Sequence, residues 1–306
     1  MTDQPADQLS PTAAARTTLP GTHGPLAALI APADAVADPV AGTVLLLPGY
    51  TGSKEDFAPI LDPLAAAGLT AVTVDLPGQH ESDGPDEEAE YTPARLGEEA
   101  AALVERLRAD GPVVLLGHSF GGLVARGAVL AGARIAGLVL LCSGPSAFRY
   151  GERYDALIAG EPLMREHGHE VAYDLAAAEG QAARKSPSPE MAEFLRRRFV
   201  SSRAASLLGM GAALRTEPDR VDELAAALRG SGTPVAVIAG ENDDAWPLPD
   251  QQDMASRLGT DLVIIPHSAH SPAVENPAAL LAVLSPLLHG WLSATTPTHR
   301  QGPRAE

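Results

Sequence analysis

Six short apolar runs recur along the chain with helical patterns between them, and this alternation narrows the possible folds more than any other feature. The runs are TVLLLPG (43–49), LTAVTVDLPG (69–78), PVVLLGHS (112–119), AGLVLLCSG (136–144), PVAVIAGEND (234–243) and DLVIIPHS (261–268). Each is apolar at consecutive rather than alternate positions, as expected of strands covered on both faces. Stretches such as RLGEEAAALVERLRAD (95–110) and PAALLAVLSPLLHGWL (277–292) read as the crossover helices of a parallel sheet. At 306 residues, 45% hydrophobic and 20% charged, the chain suits one large α/β domain.

The alternation breaks once. Residues 145–231 carry no strand signal, only helical stretches such as MAEFLRRRFV (191–200) and VDELAAALR (221–229). An insertion at the carboxyl edge of a parallel sheet lies over the crevice where open α/β folds bind ligands, so it is expected to act as a cap. Helices that merely cover one sheet face are the alternative. Residues 1–20 and 293–306 are polar, contain proline and lack apolar periodicity, which reads as disordered tails. The expected organisation is a core of 21–144 and 232–292, a helical cap at 145–231, and the two tails.

A formal net charge of −17 sets nucleic acid and anionic lipid aside as partners. Cys142 is the only cysteine, so no intrachain disulfide or thiolate metal cluster can form. The opening MTDQPADQLSPTAAARTTLP has no long apolar stretch of a secretory kind, and no segment reads as a bilayer span. A cytoplasmic location is expected.

The third run leads into Gly117-His118-Ser119-Phe120-Gly121, a G-x-S-x-G between a strand and a helix. A strand-to-helix turn this tight leaves no room for a Cβ two residues before or after the serine, hence glycine there. The turn would lift the Ser119 hydroxyl to the sheet's edge, and a helix opening at Phe120 adds N–H groups and a positive dipole end suited to an oxyanion. A serine that only caps the helix is the bland reading.

These features resemble the α/β-hydrolase family, in particular its small capped esterase, lipase-like and cofactor-independent haloperoxidase-like members, over residues 24–292. The resemblance implies a mostly parallel sheet of about eight strands flanked by helices, a serine nucleophile, and partners in the order Ser, acid, His. In IPHSAHSPAVENP (265–277), His270 matches the family's histidine position, with His267 as competitor. In VAVIAGENDDAWP (235–247), Gly240, Asp243 and Pro247 match the spacing that marks the acid, and Asp244 and Glu241 are the other carboxylates in reach. Phe120 N–H and Tyr50 N–H match the oxyanion-hole donors. Relatives usually have His-Gly-x where this chain has Pro48-Gly49-Tyr50, which removes a histidine that braces the loop. The Tyr50 ring either lines the acyl pocket or packs beneath the cap. In DLPGQHESDGP (75–85), Asp75 matches a structural aspartate, while Gln79 and His80 either contact substrate or sit in a solvated turn. His118 is expected to be structural.

A serine hydroxyl is a poor nucleophile at neutral pH and needs a neighbouring base. His270 would take its proton, and Asp243 would orient the imidazole. The expected function is a carboxylesterase-like serine hydrolase acting on a small-molecule acyl substrate, with no metal or organic cofactor. Thioester hydrolysis, acyl transfer, C–C hydrolysis and peracid formation use the same triad in relatives, and a ligand receptor that keeps the triad is the non-enzymatic rival. The arginines of EFLRRRFVSSR (193–203) either attract an anionic substrate or form a solvated face paired with acids.

Overall fold

The computed structural model describes residues 6–35, 42–181 and 187–295. Eight strands form one sheet: β1 Ala15–Gly21, β2 Gly24–Ala31, β3 Thr43–Leu47, β4 Thr70–Val74, β5 Val113–His118, β6 Gly137–Leu141, β7 Val235–Gly240 and β8 Leu262–Ile265. Their order is β1-β2-β4-β3-β5-β6-β7-β8. All neighbours from β4 to β8 run parallel, and β2 is antiparallel to both β1 and β4.

Alternate residues of the central strands point into two separate cores, which is why the runs are apolar at every position. Leu45, Leu115, Leu140 and Val237 face one core. Val44, Leu116, Val139 and Ile238 face the other. The second core is closed by α1 (Ala58–Ala66). On the first side lie α2 (Pro93–Leu107), whose Leu96, Ala100 and Leu103 recur at helical spacing, and α3 (Phe120–Leu130).

Between β6 and β7 come α4 (Glu152–His167), α5 (His169–Gln181), α6 (Pro189–Ser201), α7 (Ala204–Thr216) and α8 (Val221–Ser231). The last of these corrects the expected cap of 145–231. α8 buries Val221, Leu224 and Leu228 in the first core, alongside α9 (Leu248–Leu258), so it is a flank of the sheet. Its amphipathic pattern is that of any helix with one buried face, and only its neighbours separate it from the cap.

The expected tail at 1–20 is also corrected. Residues 15–21 are β1, paired with β2 along its length, and Thr12 Oγ1 donates to Asp62 Oδ1 at 2.6 Å. β1 is an edge strand exposed at most positions, held by main-chain bonds that leave no hydrophobic pattern in the sequence. Its partner β2, GPLAALIA, is rich in alanine, a weak strand former, and its register is set by neighbours on both sides.

After β8 come α10 (Pro272–Glu275) and α11 (Pro277–Thr295), which carries two residues beyond the expected start of a tail at 293; the remaining 296–306 lie outside the described residues. In α11, the window Pro277–Ala294 reaches a mean hydropathy of 1.4, long and apolar enough by composition to cross a bilayer, contrary to the sequence reading. Leu280, Leu284, Leu288 and Leu292, one per turn, are instead buried in the second core.

One ion cluster ties these layers together near the strand ends. Lys54 opens a short 3-10 helix (Lys54–Phe57) after β3 and is 1% exposed. Its Nζ donates to Asp75 Oδ2 at 2.9 Å and to Glu81 Oε2 at 2.7 Å, while its N–H donates to Asp75 Oδ1 at 2.7 Å. Arg16 of β1 pairs with Glu55 and Glu81 around the same cluster. Burial pushes the Asp75 carboxyl up to about 6, with Lys54 pulling it down. Replacing Lys54 by Met should therefore destabilise the protein by about 3–5 kcal/mol at pH 7.5, because buried carboxylates lose their counter-charge. The penalty should shrink at pH 5, where Asp75 takes up a proton; denaturant melts at the two pH values measure both effects.

Candidate active site

Ser119 sits between β5 and α3 with φ 55° and ψ −122°, a backbone conformation that L side chains rarely adopt. The glycines around it are required by contact. A Cβ on Gly117 would collide with the Gly121 carbonyl, and one on Gly121 with the Leu47 and Pro48 carbonyls. The bend is anchored by Ser119 N–H donating to Leu141 O at 2.9 Å and by Gly122 N–H donating to Ser119 O at 2.9 Å.

His270, in the loop between β8 and α10, lies with Nε2 2.8 Å from Ser119 Oγ. Its Nδ1 lies 2.8 Å from Asp243 Oδ1, at the end of β7. An ionised carboxylate only accepts, so Nδ1 carries the proton and Nε2 is left to accept from the serine. Burial alone would raise the Asp243 carboxyl. Bonds from His270, Ala245 N–H and Gln251 Nε2 outweigh it and hold the group below its ordinary value, hence ionised.

The competing residues lie elsewhere. His267 is exposed, and its main-chain N–H donates to Glu241 Oε2, while the imidazole at Ser119 is that of His270. Asp244 faces outward and pairs with Arg153 of α4 at 2.7 Å.

Phe120 follows the serine in the chain, and Tyr50 follows Gly49, which packs against it. The Phe120 N–H opens α3, where the first amides of a helix have no acceptor within the helix itself. Gly49 packs so closely on Ser119 that a Cβ there would lie 3.0 Å from the Ser119 Cβ and 3.3 Å from its Oγ, so the peptide leading to Tyr50 runs past the hydroxyl. The Tyr50 side chain both lines the cavity and packs beneath the cap: a Cβ on Gly211 of α7 would stand 3.4 Å from its phenol oxygen. Burial pushes that phenol well above its ordinary value, opposed by the Arg215 charge.

Ser119 and His270 open into a cavity of about 420 Å³ roofed by α4 to α7. Leu157, Met164, Phe199 and Leu214 give it apolar walls. Of the arginine-rich stretch, Arg198 reaches this wall, where Asp56 Oδ1 accepts from it at 2.6 Å and offsets its charge. Arg196 pairs with Asp174 and Glu170, and Arg203 with Asp86. The solvated, acid-paired reading of that stretch therefore describes most of it.

His118, Cys142 and His270 bring possible metal ligands within 4.8 Å of one another. Both His270 nitrogens are already hydrogen-bonded, and burial raises the Cys142 thiol well above its ordinary value, so the group lacks the free deprotonated donors a cation needs.

A profile of the Alpha/beta hydrolase family matches residues 44–283. This chain belongs to that family. A curated Bacillus subtilis (strain 168) protein named "Putative 2-succinyl-6-hydroxy-2,4-cyclohexadiene-1-carboxylate synthase" is 27% identical over 257 residues, covering 80% of this chain and 89% of that one. A carboxylesterase structure from the thaumarchaeon Nitrososphaera gargenis superposes with a TM-score of 0.71 at 18% identity, covering 91% of this chain and all of that one. A thermophilic esterase from Thermogutta terrifontis gives 0.66 at 23% identity, covering 92% and 99%. At these identities the structures establish the shared fold.

Several residues that support the site are invisible to motif reading. Gln251 of α9 is buried and donates from Nε2 to Asp243 Oδ2 and to Trp246 O, both at 2.9 Å. Nothing local separates it from its exposed neighbour Gln252 except the phase of the helix. Gln79 is 1% exposed and His80 is buried, so neither lies in a solvated turn, and neither is among the cavity-lining residues. His80 instead meets the cap through Ser201 Oγ and Ser202 Oγ.

His118 is structural in a specific way. Its Nε2–H donates to the His270 carbonyl at 2.6 Å, and burial followed by the His270 imidazole lowers its pKa to about 4, so the ring stays neutral. Replacing His118 by Leu leaves that carbonyl unmet and should lower stability by about 1–3 kcal/mol, read by urea denaturation at neutral pH.

Proposed function

We propose that the protein is a serine hydrolase of carboxylic esters or closely related acyl compounds. The observation that carries this reading is the unbroken relay from Asp243 through His270 to the Ser119 hydroxyl, opening into a largely apolar cavity. In the proposed reaction Ser119 Oγ attacks the substrate carbonyl while its proton passes to His270 Nε2. Asp243, kept ionised by its three donors, holds the imidazole in the accepting tautomer and stabilises the imidazolium. The Tyr50 and Phe120 amides face the developing oxyanion, a contribution of about 3–4 kcal/mol for each donor of this kind. His270 then returns the proton to the leaving alcohol, and water activated by the same nitrogen releases the acyl group.

The substrate is a small molecule whose acyl or alcohol part fits among Leu157, Met164, Phe199 and Leu214. The pairing of Arg198 with Asp56 favours neutral esters over anionic ones, because the cation at the wall already has its counter-charge. The esterase structures similar in fold accord with this reading, and the argument for the reaction rests on the site.

Fluorophosphonate labelling and hydrolysis of short p-nitrophenyl esters should both disappear in Ser119→Ala. Asp243→Asn should keep the fold and lower kcat by about 10⁴, because the amide cannot hold the same imidazole tautomer. Full activity in Ser119→Ala would refute the assignment. A panel of acyl p-nitrophenyl esters and acyl thioesters ranks the substrate classes.

A further inference from the structure

We propose that Gln79 is the positioning residue of the oxyanion hole, bracing the Gly49–Tyr50 amide beside Ser119. Gln79 Nε2 donates to the Gly49 carbonyl at 2.8 Å, and Gln79 Oε1 accepts from Leu76 N–H at 3.1 Å. A carbonyl can only accept and an amide N–H can only donate, so these partners determine which end of the side chain is which.

The consequence lies in the peptide unit. The Gly49 carbonyl and the Tyr50 N–H belong to one planar trans amide and point in opposite directions. Pinning the oxygen therefore aims the N–H on the other edge. Gly49 packs against Ser119, so the pinned amide is the one beside the nucleophile. A hydrogen bond to the carbonyl also polarises the amide and strengthens its N–H as a donor. The same oxygen accepts from Gly52 N–H at 3.0 Å, which closes the loop on itself but does not tie it to the rest of the molecule. Gln79 supplies that tie.

Gln79 is itself held from both sides by the cap. Gly78 O accepts from Arg203 N–H at 2.8 Å, and His80 N–H donates to Ser202 Oγ at 3.0 Å. Met210 Sδ of α7 lies 3.8 Å from Gln79 Nε2. The side chain is buried and outside the cavity lining, so it acts on the reaction through the Gly49–Tyr50 amide and not by touching substrate.

This inference rests on the serine-hydrolase reading, and the test separates the two. Wild type, Gln79→Leu and Gln79→Glu are assayed with a neutral p-nitrophenyl ester, with rates divided by active sites titrated with a fluorophosphonate. Leu keeps the bulk without the donor. Glu keeps the acceptor for Leu76 N–H and removes the donor, so it decides the matter if Leu does not fold. The expected result is a 10- to 100-fold fall in kcat per titrated site with KM changed less than threefold. Affinity for an alkyl boronic acid, which forms a tetrahedral anion on the serine, should fall in parallel with kcat. A merely structural role would lower the number of titratable sites and leave kcat per site and boronate affinity at wild-type values, which overturns the proposal. A wild type that neither labels at Ser119 nor hydrolyses any ester overturns the parent reading first, and this inference with it.

Discussion

The bend at Ser119 is the constraint to which the other parts of the site answer. A non-glycine residue at φ 55° is strained by about 1–3 kcal/mol and persists only where its surroundings leave it no alternative. Here they leave none. β5 is fully buried between β3 and β6, α3 begins at the next residue, and the glycines on either side let backbone meet backbone. The strain is held by two parallel strands and a buried helix, so the hydroxyl is presented on a rigid support while its partners arrive on loops.

Those partners come from the carboxyl ends of separate strands, where no ladder satisfies the main chain. Buried polar groups there must find other acceptors and donors. The bonds that meet this demand also set the geometry. His118 holds the His270 carbonyl, Glu275 accepts from the amides on either side of His270, and Gln251 holds Asp243. Lys54 locks the segment after β3 to the segment after β4, and Gln79 joins the same two segments one turn of chain away. The cap is docked on this framework through Arg198 to Asp56, Arg203 to Gly78 and Ser202 to His80, so the roof of the cavity and the loop beside the serine share hydrogen bonds.

How much of this is legible in the sequence depends on how local each interaction is. The central strands are readable because burial on both faces forces a continuous apolar run. β1 is not, because an exposed edge strand is held by main-chain bonds that any sequence can make. The true extent of the cap is hidden for a related reason: α8 and the cap helices have similar patterns and differ only in what lies against them. Gln79, Gln251 and Lys54 are polar residues in polar stretches, and their burial follows from folds of the chain that bring residues 49, 243 and 75 against them.

By itself the sequence determined the layered α/β class, the position of the insertion, and the candidate nucleophile with a short choice among histidines and acids. Each of these follows from spacing along the chain, which burial and tight turns impose locally. Only the tertiary structure showed that His270 rather than His267 lies against the Ser119 hydroxyl and that Asp243 rather than its neighbours lies against His270, and only it revealed the buried amides and cation around them. Those placements turn on distances of about one hydrogen bond, between residues 27 positions apart for His270 and Asp243 and 151 apart for His270 and Ser119, and no local pattern encodes such a distance.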